Sequence, residues 1–315
     1  MSQVVVPFLT RSSEDATRKW VDALSSALPE CRIVPFSRLT DEERAAAEVA
    51  IVANPEPAEL TELPSLKWVQ SLWAGVERLM AELPPSDLRV VRLVDPMLAQ
   101  TMANAVLAWT LYLYRDMPRY RSQQEQKVWE QHHLRDPEEV TIGILGLGAL
   151  GSTSARVLTD QGFTVLGWSR TQASVDGVTC LSGADGLDEL LQKSNIIVVL
   201  LPLTNETRGL LSAERFARIQ RGAAIINFGR GPIIDDPALI VALDSGQVSH
   251  AVLDVFDQEP LPTDNPFWSH PSVTVLPHIS APTNFRTASR VVADNIKAFL
   301  TDGTIPQGVD RSRGY

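Results

Sequence analysis

Three side chains whose chemistry could reduce a carbonyl group each follow an apolar run in the second half of the sequence. Arg230 lies in INFGRGPIID, Glu259 in AVLDVFDQEPLP and His278 in VTVLPHISAPT. The apolar runs before them predict β-strands. The carboxyl ends of parallel strands meet at one edge of a sheet, where such folds bind ligands, so we expect these side chains to share a site.

Together, the three residue types fit the reduction of an anionic carbonyl compound by a hydride donor. The arginine would hold the substrate, the histidine would donate a proton to the forming alkoxide, and the glutamate would keep the imidazole charged and fix its tautomer. Taken singly, Arg230 could be a surface residue in a glycine turn, Glu259 a solvated loop charge, and His278 a hydrogen-bonded residue at a strand end. Their occurrence as a set downstream of a glycine-rich loop favours chemistry.

That loop lies in TIGILGLGALGSTSARVL, between an apolar strand and a helix. The loop positions are Gly146, Gly148, Ala149, Leu150 and Gly151, with glycines spaced G-x-G-x-x-G. The first glycine permits a tight turn, the second lets the backbone approach a pyrophosphate, and the third lets helix and strand pack closely. The spacing alone is a weak signal and could mark a turn without a ligand, but the strand and helix around it predict a dinucleotide site.

The end of the next predicted strand, TVLGWSRT, bears on which dinucleotide binds. An NAD site usually has an acidic residue here for the ribose 2′-hydroxyl, whereas this sequence has Ser169, Arg170 and Thr171. Two hydroxyls and a guanidinium suit a 2′-phosphate. The pattern therefore favours NADP(H), with NAD(H) possible, unless Arg170 is an ordinary surface residue.

Strands and helices alternate along most of the chain, which predicts an α/β protein with parallel sheets. The first hundred residues contain apolar runs such as QVVVPFL and CRIVPF between helical stretches, and a long helix is predicted from AQTMANAV to RSQQEQ. That helix is apolar nearly all round, which predicts burial, in part against another subunit. In the second half we predict a doubly wound sheet of six strands, at 141–145, 164–168, 196–200, 224–227, 251–254 and 273–276.

The composition excludes several classes of partner. The chain of 315 residues has 28 basic and 38 acidic residues, a net charge of -10, and no basic run for nucleic acid or an anionic membrane. Its two cysteines, Cys31 and Cys180, predict neither a disulfide framework nor a zinc site, and we expect no metal. We see no leader peptide or apolar run long enough to span a bilayer, so we expect a cytoplasmic protein.

The sequence resembles the D-2-hydroxyacid dehydrogenase family over nearly its whole length. The marks of the resemblance are GILGLGALG, LLPLTNETRGLL, NFGRGPIID, LDVFDQEPLP and LPHIS. The branch that it resembles most is the glyoxylate/hydroxypyruvate reductase type A, through SLWAGVERLM, GWSR and DQEPLPTDNPFWSHP. The resemblance implies two Rossmann/flavodoxin-like doubly wound domains with parallel sheets. A cofactor domain at 100–282 would be inserted into a substrate domain made of 1–99 and 283–315.

The resemblance also implies roles for single residues. The catalytic residues would be Arg230, Glu259 and His278. The substrate would lie against Arg230, His278 and the LWAGV loop, whose residues are Trp73, Ala74, Gly75 and Val76. Trp73 has the alternative of an ordinary core position. The nicotinamide half of the cofactor would lie along Pro202, Leu203 and Thr204, and Asp254 would contact the carboxamide. Further cofactor-binding residues would be Leu201, Thr207, Phe228 and Gly229. The helix near 102–117 would form a homodimer, with Trp129 reaching the neighbouring subunit.

The expected function is NADPH-dependent reduction of small 2-oxo acids, glyoxylate and hydroxypyruvate, to 2-hydroxy acids. A bulkier 2-oxo acid or D-lactate remains an alternative, as does a dinucleotide-sensing binding protein built on the same fold. Formate dehydrogenases pair their histidine with glutamine, and Glu259 argues against that activity. Long phosphoglycerate dehydrogenases add a regulatory domain, whereas this sequence stops at Tyr315.

Overall fold

The computed structural model describes residues 3–84 and 86–310. The chain divides into two compact units, one formed by Met1–Met97 with Thr283–Tyr315 and the other by Leu98–Pro282. The outer ends of the two terminal segments, residues 1–2 and 311–315, lie outside the described residues. Each unit is built on a parallel sheet, so the predicted fold class is confirmed.

The first unit contains a five-stranded parallel sheet with the order β2-β1-β3-β4-β5. Its strands are β1 (Val4–Thr10), β2 (Cys31–Pro35), β3 (Val49–Ala53), β4 (Trp68–Ser71) and β5 (Arg89–Val91). Its first four helices are α1 (Glu14–Ala27), α2 (Asp41–Ala46), α3 (Pro57–Thr61) and α4 (Glu77–Glu82). The middle strand reads VAIVA and is buried throughout, as expected for a parallel sheet that is covered on both faces.

The second unit contains a seven-stranded parallel sheet, one strand more than predicted. Its strands are β6 (Thr141–Leu145), β7 (Thr164–Ser169), β8 (Thr179–Ser182), β9 (Ile196–Val199), β10 (Ala223–Asn227), β11 (Val248–Leu253) and β12 (Val273–Val275). They lie in the order β12-β11-β10-β9-β6-β7-β8. The unpredicted strand β8 is a short edge strand that is nowhere fully buried, so its sequence, TCLS, carries no apolar run.

The helices of this unit are α5 (Pro96–Tyr114), α6 (Met117–Gln126), α7 (Ala149–Asp160), α8 (Gly183–Lys193), α9 (Ala213–Arg218) and α10 (Asp236–Asp244). The prediction of one continuous helix up to RSQQEQ is wrong, because α5 and α6 are separate. Asp116 between them has a left-handed backbone (φ 56°), and Pro118 lies in the first turn of α6, where proline starts a helix rather than continuing one. Among the described residues, no helix is long and apolar enough to cross a membrane.

The last helix, α11 (Phe285–Asp302), belongs to the first unit. Its buried face, which includes Val292 and Ile296, joins the apolar cluster that contains Trp20 and Trp68. Apolar residues four positions apart lie on one face of a helix, so the spacing in RVVADNIKAF accounts for this docking.

Candidate active site

The residues of the predicted site follow three neighbouring strands of the seven-stranded sheet. Arg230 follows β10, Glu259 follows β11 and His278 follows β12. These strands are adjacent and parallel, so their carboxyl ends lie side by side at one edge. The loops that bear the three side chains therefore start from neighbouring positions.

Glu259 and His278 form a hydrogen-bonded pair. The imidazole Nδ1 lies 2.8 Å from Oε2 of the carboxylate, and Oε1 accepts the backbone N–H of Phe256 at 2.9 Å. An ionised carboxylate can only accept, so Nδ1 carries the hydrogen of this bond. That arrangement fixes the tautomer of the ring and leaves Nε2 to exchange a proton with a bound molecule. The histidine side chain is 54% exposed, so it remains accessible.

The backbone at His278 is unusual, because its φ of 55° lies in the left-handed region. The next two residues, Ile279 and Ser280, donate their backbone N–H groups to Asp254, to Oδ1 at 2.8 Å and to Oδ2 at 2.9 Å. Asp254 is only 2% exposed. Its carboxylate is thus part of the support under the histidine loop, a role that the sequence did not reveal.

The Arg230 turn is held by hydrogen bonds of its own. Asn227 accepts the Gly229 N–H at 3.1 Å through its side-chain oxygen and donates to the Arg230 carbonyl at 3.1 Å. Gly231 packs so tightly on the peptide after Phe256 that a Cβ would overlap that backbone. The turn that bears Arg230 therefore packs against the segment whose N–H holds the Glu259 carboxylate.

Two positions of the glycine-rich loop have no room for a side chain. Gly146 has a φ of 107°, and a Cβ there would lie 2.8 Å from the carbonyl oxygen of Leu200, so only glycine fits. At Gly151 a Cβ would overlap the carbonyl oxygen of Gly146. By contrast, a Cβ at Gly148 would meet none of the described residues within 4 Å.

Gly148 is the N-cap of α7, which begins with Ala149 and Leu150, and no described side chain caps that helix. Open space in front of an uncapped helix N-terminus fits a phosphate group. These residues would therefore hold the diphosphate of a dinucleotide.

The residues predicted to bind the 2′-phosphate lie at the end of β7 and directly after it. Ser169 donates its hydroxyl hydrogen to the Thr171 carbonyl at 2.7 Å, and Arg170 forms an ion pair with Glu206 at 3.0 Å. The arginine and glutamate side chains are 36% and 68% exposed, so this pair contributes at most about 1 kcal/mol and a phosphate could compete for the guanidinium. Sequence reasoning missed Glu206, which no motif connects with Arg170.

The loop after β9 is closed by hydrogen bonds between two threonines. The Thr207 hydroxyl donates to the Pro202 carbonyl at 2.7 Å and accepts the Thr204 N–H at 2.8 Å. Leu201 and Thr207 are buried, whereas Pro202 and Leu203 are half-buried. The Thr207 side chain therefore shapes the loop, and Pro202 and Leu203 lie at its surface.

Phe228 and Gly229 join this loop to the next. Phe228 is 4% exposed and packs in the core of the unit, while a Cβ at Gly229 would lie 2.8 Å from the Leu201 carbonyl oxygen. The close approach requires glycine and keeps the two loop backbones in contact.

The LWAGV loop belongs to the first unit and follows β4. The Trp73 N–H donates to the Ser71 hydroxyl at 3.0 Å, and its ring packs edge-on against Trp20 with centroids 6.0 Å apart. Ala74 and Gly75 are half-buried. Val76 is buried and is the N-cap residue of α4. Trp73 thus contributes to the core cluster of its own unit.

A second histidine lies inside the seven-stranded sheet, on β11. The Nε2 of His250 lies 2.9 Å from the Thr274 hydroxyl, and the residue is 6% exposed. Burial, with a smaller contribution from His270, lowers the pKa of His250 to about 4. Within residues 3–84 and 86–310, no cluster of three histidine, cysteine or acidic side chains could hold a metal.

Known proteins are similar to this chain over most of its length. Residues 107–280 match the D-isomer specific 2-hydroxyacid dehydrogenase, NAD binding domain. Glyoxylate/hydroxypyruvate reductase A of Yersinia enterocolitica is 38% identical over 305 residues, which cover 95% of this chain and 96% of that protein.

Two solved structures are similar along the whole chain. A D-isomer specific 2-hydroxyacid dehydrogenase from Xanthobacter autotrophicus Py2, in complex with NADPH and MES, has a TM-score of 0.92 at 39% identity and covers 100% of both chains. An NADPH-dependent glyoxylate/hydroxypyruvate reductase from Sinorhizobium meliloti, in complex with NADP and sulfate, has a TM-score of 0.89 at 32% identity and covers 99% of each.

The doubly wound fold, the dinucleotide loop and the paired histidine and carboxylate define an NAD(P)-dependent oxidoreductase. The chain belongs to the D-isomer specific 2-hydroxyacid dehydrogenase family. The resemblance of the sequence to that family is thereby confirmed.

Proposed function

We propose that this protein reduces small 2-oxo acids, glyoxylate and hydroxypyruvate foremost, to 2-hydroxy acids with NADPH. The observation that carries the proposal is the 2.8 Å bond between His278 Nδ1 and the Glu259 carboxylate, at the sheet edge that also bears Arg230. The relatives named for this activity, and the similar structures that contain NADPH or NADP, support the choice of substrate and cofactor.

In the proposed reaction, each residue of the set has one task. Arg230 binds the substrate carboxylate and polarises the carbonyl. Glu259 accepts the hydrogen bond from the Nδ1–H group of His278 and stabilises the imidazolium. The Nε2 proton of His278 then passes to the carbonyl oxygen. The bound NADPH supplies the hydride for the carbonyl carbon. The products are the 2-hydroxy acid and NADP⁺, with the histidine left neutral.

The cofactor would bind along the loops of the second unit. Gly146, Gly148 and Gly151 would shape the diphosphate site, with the N–H groups of Ala149 and Leu150 at the helix N-terminus. The nicotinamide half would lie along the loops after β9 and β10, which contain Leu201, Pro202, Leu203, Thr207, Phe228 and Gly229.

Preference for NADPH over NADH would come from Ser169, Arg170 and Thr171. The double variant S169D/R170L should exchange the preference, because an acidic side chain accepts the ribose 2′-hydroxyl and repels a 2′-phosphate. Equilibrium binding of NADPH and NADH to both proteins measures this. An unchanged ratio of the two dissociation constants would mean that the phosphate is recognised elsewhere.

We further propose that the LWAGV loop, Trp73 to Val76, lies against the substrate and that the backbone N–H groups of Gly75 and Val76 bind its carboxylate.

A homodimer is proposed through α5, the start of α6 and the segment after α6. Large apolar side chains are exposed there, among them Leu111, Met117, Val128 and Trp129, the last at 96%.

Both cysteines are free thiols, which is consistent with a cytoplasmic location.

Purified protein should be assayed for NADPH oxidation against 2-oxo acids from glyoxylate to phenylpyruvate, with NADH in parallel. Among the acids, we expect the fastest turnover with glyoxylate and hydroxypyruvate. Between the cofactors, we expect faster turnover with NADPH than with NADH. Preference for phenylpyruvate would keep the mechanism and overturn the substrate assignment. No turnover of any acid by protein that still binds NADPH would instead support a dinucleotide-sensing protein.

A further inference from the structure

We propose that Glu206 is a specificity-determining residue, because its carboxylate competes with the 2′-phosphate of NADPH for the Arg170 guanidinium and so weakens the preference for NADPH over NADH. The inference rests on the proposed function, in which Arg170 binds that phosphate. It adds a residue that acts against the preferred cofactor to the residues that would bind it.

The first observation is the place of the ion pair in the seven-stranded sheet. Arg170 directly follows β7, and Glu206 lies in the loop after β9. Between these two strands lies β6, the strand before the glycine-rich loop. Neighbouring strands are about 4.8 Å apart, so β7 and β9 are separated by about 10 Å. The pair therefore spans the carboxyl end of β6, where the strand order reverses and a doubly wound sheet binds its ligand.

The second observation is that hydrogen bonds hold the chain on both sides of the pair. On the arginine side, the Ser169 hydroxyl donates to the Thr171 carbonyl at 2.7 Å. On the other side, the Arg208 N–H donates to the Thr204 carbonyl at 3.0 Å, which closes a turn around Glu206. The carboxylate thus starts from a fixed backbone, and it stays within reach of the guanidinium when a phosphate arrives.

The third observation concerns charge and access. The Nη1 atom of Arg170 lies 3.0 Å from Oε2 of Glu206, and the two side chains are 36% and 68% exposed. An exposed ion pair is weak, so a phosphate that binds the guanidinium through two hydrogen bonds can displace the carboxylate. The displaced carboxylate remains an anion beside the phosphate, and like charges repel.

NADH differs from NADPH in this respect, because it has a hydroxyl in place of the 2′-phosphate. It neither competes with Glu206 for the guanidinium nor meets the repulsion between two anions. Specificity is a difference between two affinities, and a carboxylate that lowers only one of them narrows that difference. Replacement of Glu206 by glutamine keeps the size of the side chain and removes its charge, so it should strengthen the preference for NADPH.

The test compares E206Q with E189Q. Glu189 is a matched control, because it is also an exposed glutamate of the second unit that pairs with a cation, Lys193 at 2.8 Å. It lies in the second half of α8 and in no proposed cofactor loop. Both variants change the net charge by the same amount. R170L and R170L/E206Q complete a double-mutant cycle. The measurements are the dissociation constants of NADPH and NADH at low and at high ionic strength.

We expect E206Q to tighten NADPH binding by about threefold to tenfold at low ionic strength and to change NADH binding by less than about twofold. The gain should shrink at high ionic strength, because salt screens exposed charges. E189Q should change neither dissociation constant by more than about twofold.

R170L should weaken NADPH binding by about tenfold or more, because the phosphate loses its guanidinium. In that background, the gain from E206Q should be smaller, because only the repulsion remains. NADH binding shows that each variant is folded.

Four results would overturn the inference. NADPH binding that E206Q leaves unchanged, while R170L weakens it, would show that the carboxylate does not compete with the phosphate. An equal gain in E206Q and E189Q would assign the effect to net charge. An equal gain with and without Arg170 would show that Glu206 acts without the arginine.

The fourth result, NADPH binding that R170L leaves unchanged, would also overturn the proposed recognition of the phosphate by Arg170. No binding measurement needs a 2-oxo acid, so a failure of the proposed reductase activity would be recognised separately in the parent protein.

Discussion

The edge and the interior of the seven-stranded sheet each hold a histidine, and the two differ in partner and in access. At the edge, His278 faces the Glu259 carboxylate and its side chain is 54% exposed. In the interior, His250 faces the Thr274 hydroxyl and is 6% exposed.

Burial disfavours the charged form of the His250 imidazole, and His270 adds a smaller effect in the same direction. The pKa of His250 is accordingly lowered to about 4, so that this ring is neutral near pH 7 and serves packing. The edge histidine has the opposite surroundings, which suit proton transfer. The partner and the accessibility of a histidine thus separate a chemical role from a structural one.

A large effect should follow a change at the edge, namely Arg230→Gln. Loss of the guanidinium removes the group proposed to bind the substrate carboxylate, and kcat/KM for glyoxylate should fall by about a thousandfold. Arg230→Lys should recover part of the loss, since it restores the charge without the planar fork. A fall of less than about threefold in Arg230→Gln, measured by steady-state kinetics, would remove this residue from the site.

The interior histidine, His250, should affect the free energy of unfolding rather than the activity, and it should do so at acid pH. Its folded-state pKa lies below the usual 6.5, so the unfolded chain binds more protons and stability is lost as the pH falls from 6.5 toward 4. Integrated over that range, the loss is about 3 kcal/mol.

His250→Gln removes this titration while keeping a hydrogen-bonding side chain. In urea unfolding, the free energy of the parent should fall between pH 7 and pH 4 by about 3 kcal/mol more than that of the variant. The same pH dependence of the unfolding free energy in both proteins would contradict a neutral His250 ring in the folded state.

Glu259→Gln should have a smaller effect than loss of Arg230, because the proton donor and the group proposed to bind the substrate both remain. A neutral amide stabilises the imidazolium less than a carboxylate does, so kcat should fall by about tenfold. The measurement is kcat for glyoxylate with saturating NADPH. An unchanged kcat would show that the Glu259 carboxylate does not assist the proton donor.

Thr274→Val should give the smallest effect and is the interior counterpart of Glu259→Gln. It removes the hydroxyl that bonds His250, which should cost about 1 kcal/mol of stability. The kcat for glyoxylate should not change. A lowered kcat would mean that the interior and the edge of the sheet are coupled, which would break the distinction between the two histidines.

Much of this fold could be predicted, because the apolar runs of buried parallel strands and the glycine spacing are local patterns. The glycine loop and the Glu259–His278 pair were predicted from order along the chain and geometry at a sheet edge. Strand β8 was missed because an exposed edge strand needs no apolar run. The break at Asp116 was missed because the apolar residues continue up to it.

The hydrogen bonds and the ion pair that hold the loops of the candidate site could not be predicted from the sequence. The bonds from Ile279 and Ser280 to Asp254 span 25 and 26 positions, and they depend on how β11 and β12 pair. The Arg170–Glu206 pair spans 36 positions. Contacts of this kind are set by tertiary structure, and neither a propensity nor a motif records them.

The central claim is that the edge histidine delivers the proton that accompanies hydride transfer. Its most direct test is a single-turnover experiment in which the parent and His278→Ala, each saturated with NADPH, are mixed with excess glyoxylate while the nicotinamide absorbance is followed. We predict that both proteins bind NADPH equally and that oxidation slows by about a thousandfold or more in the variant. Oxidation of NADPH by the variant at the parental rate would contradict the claim.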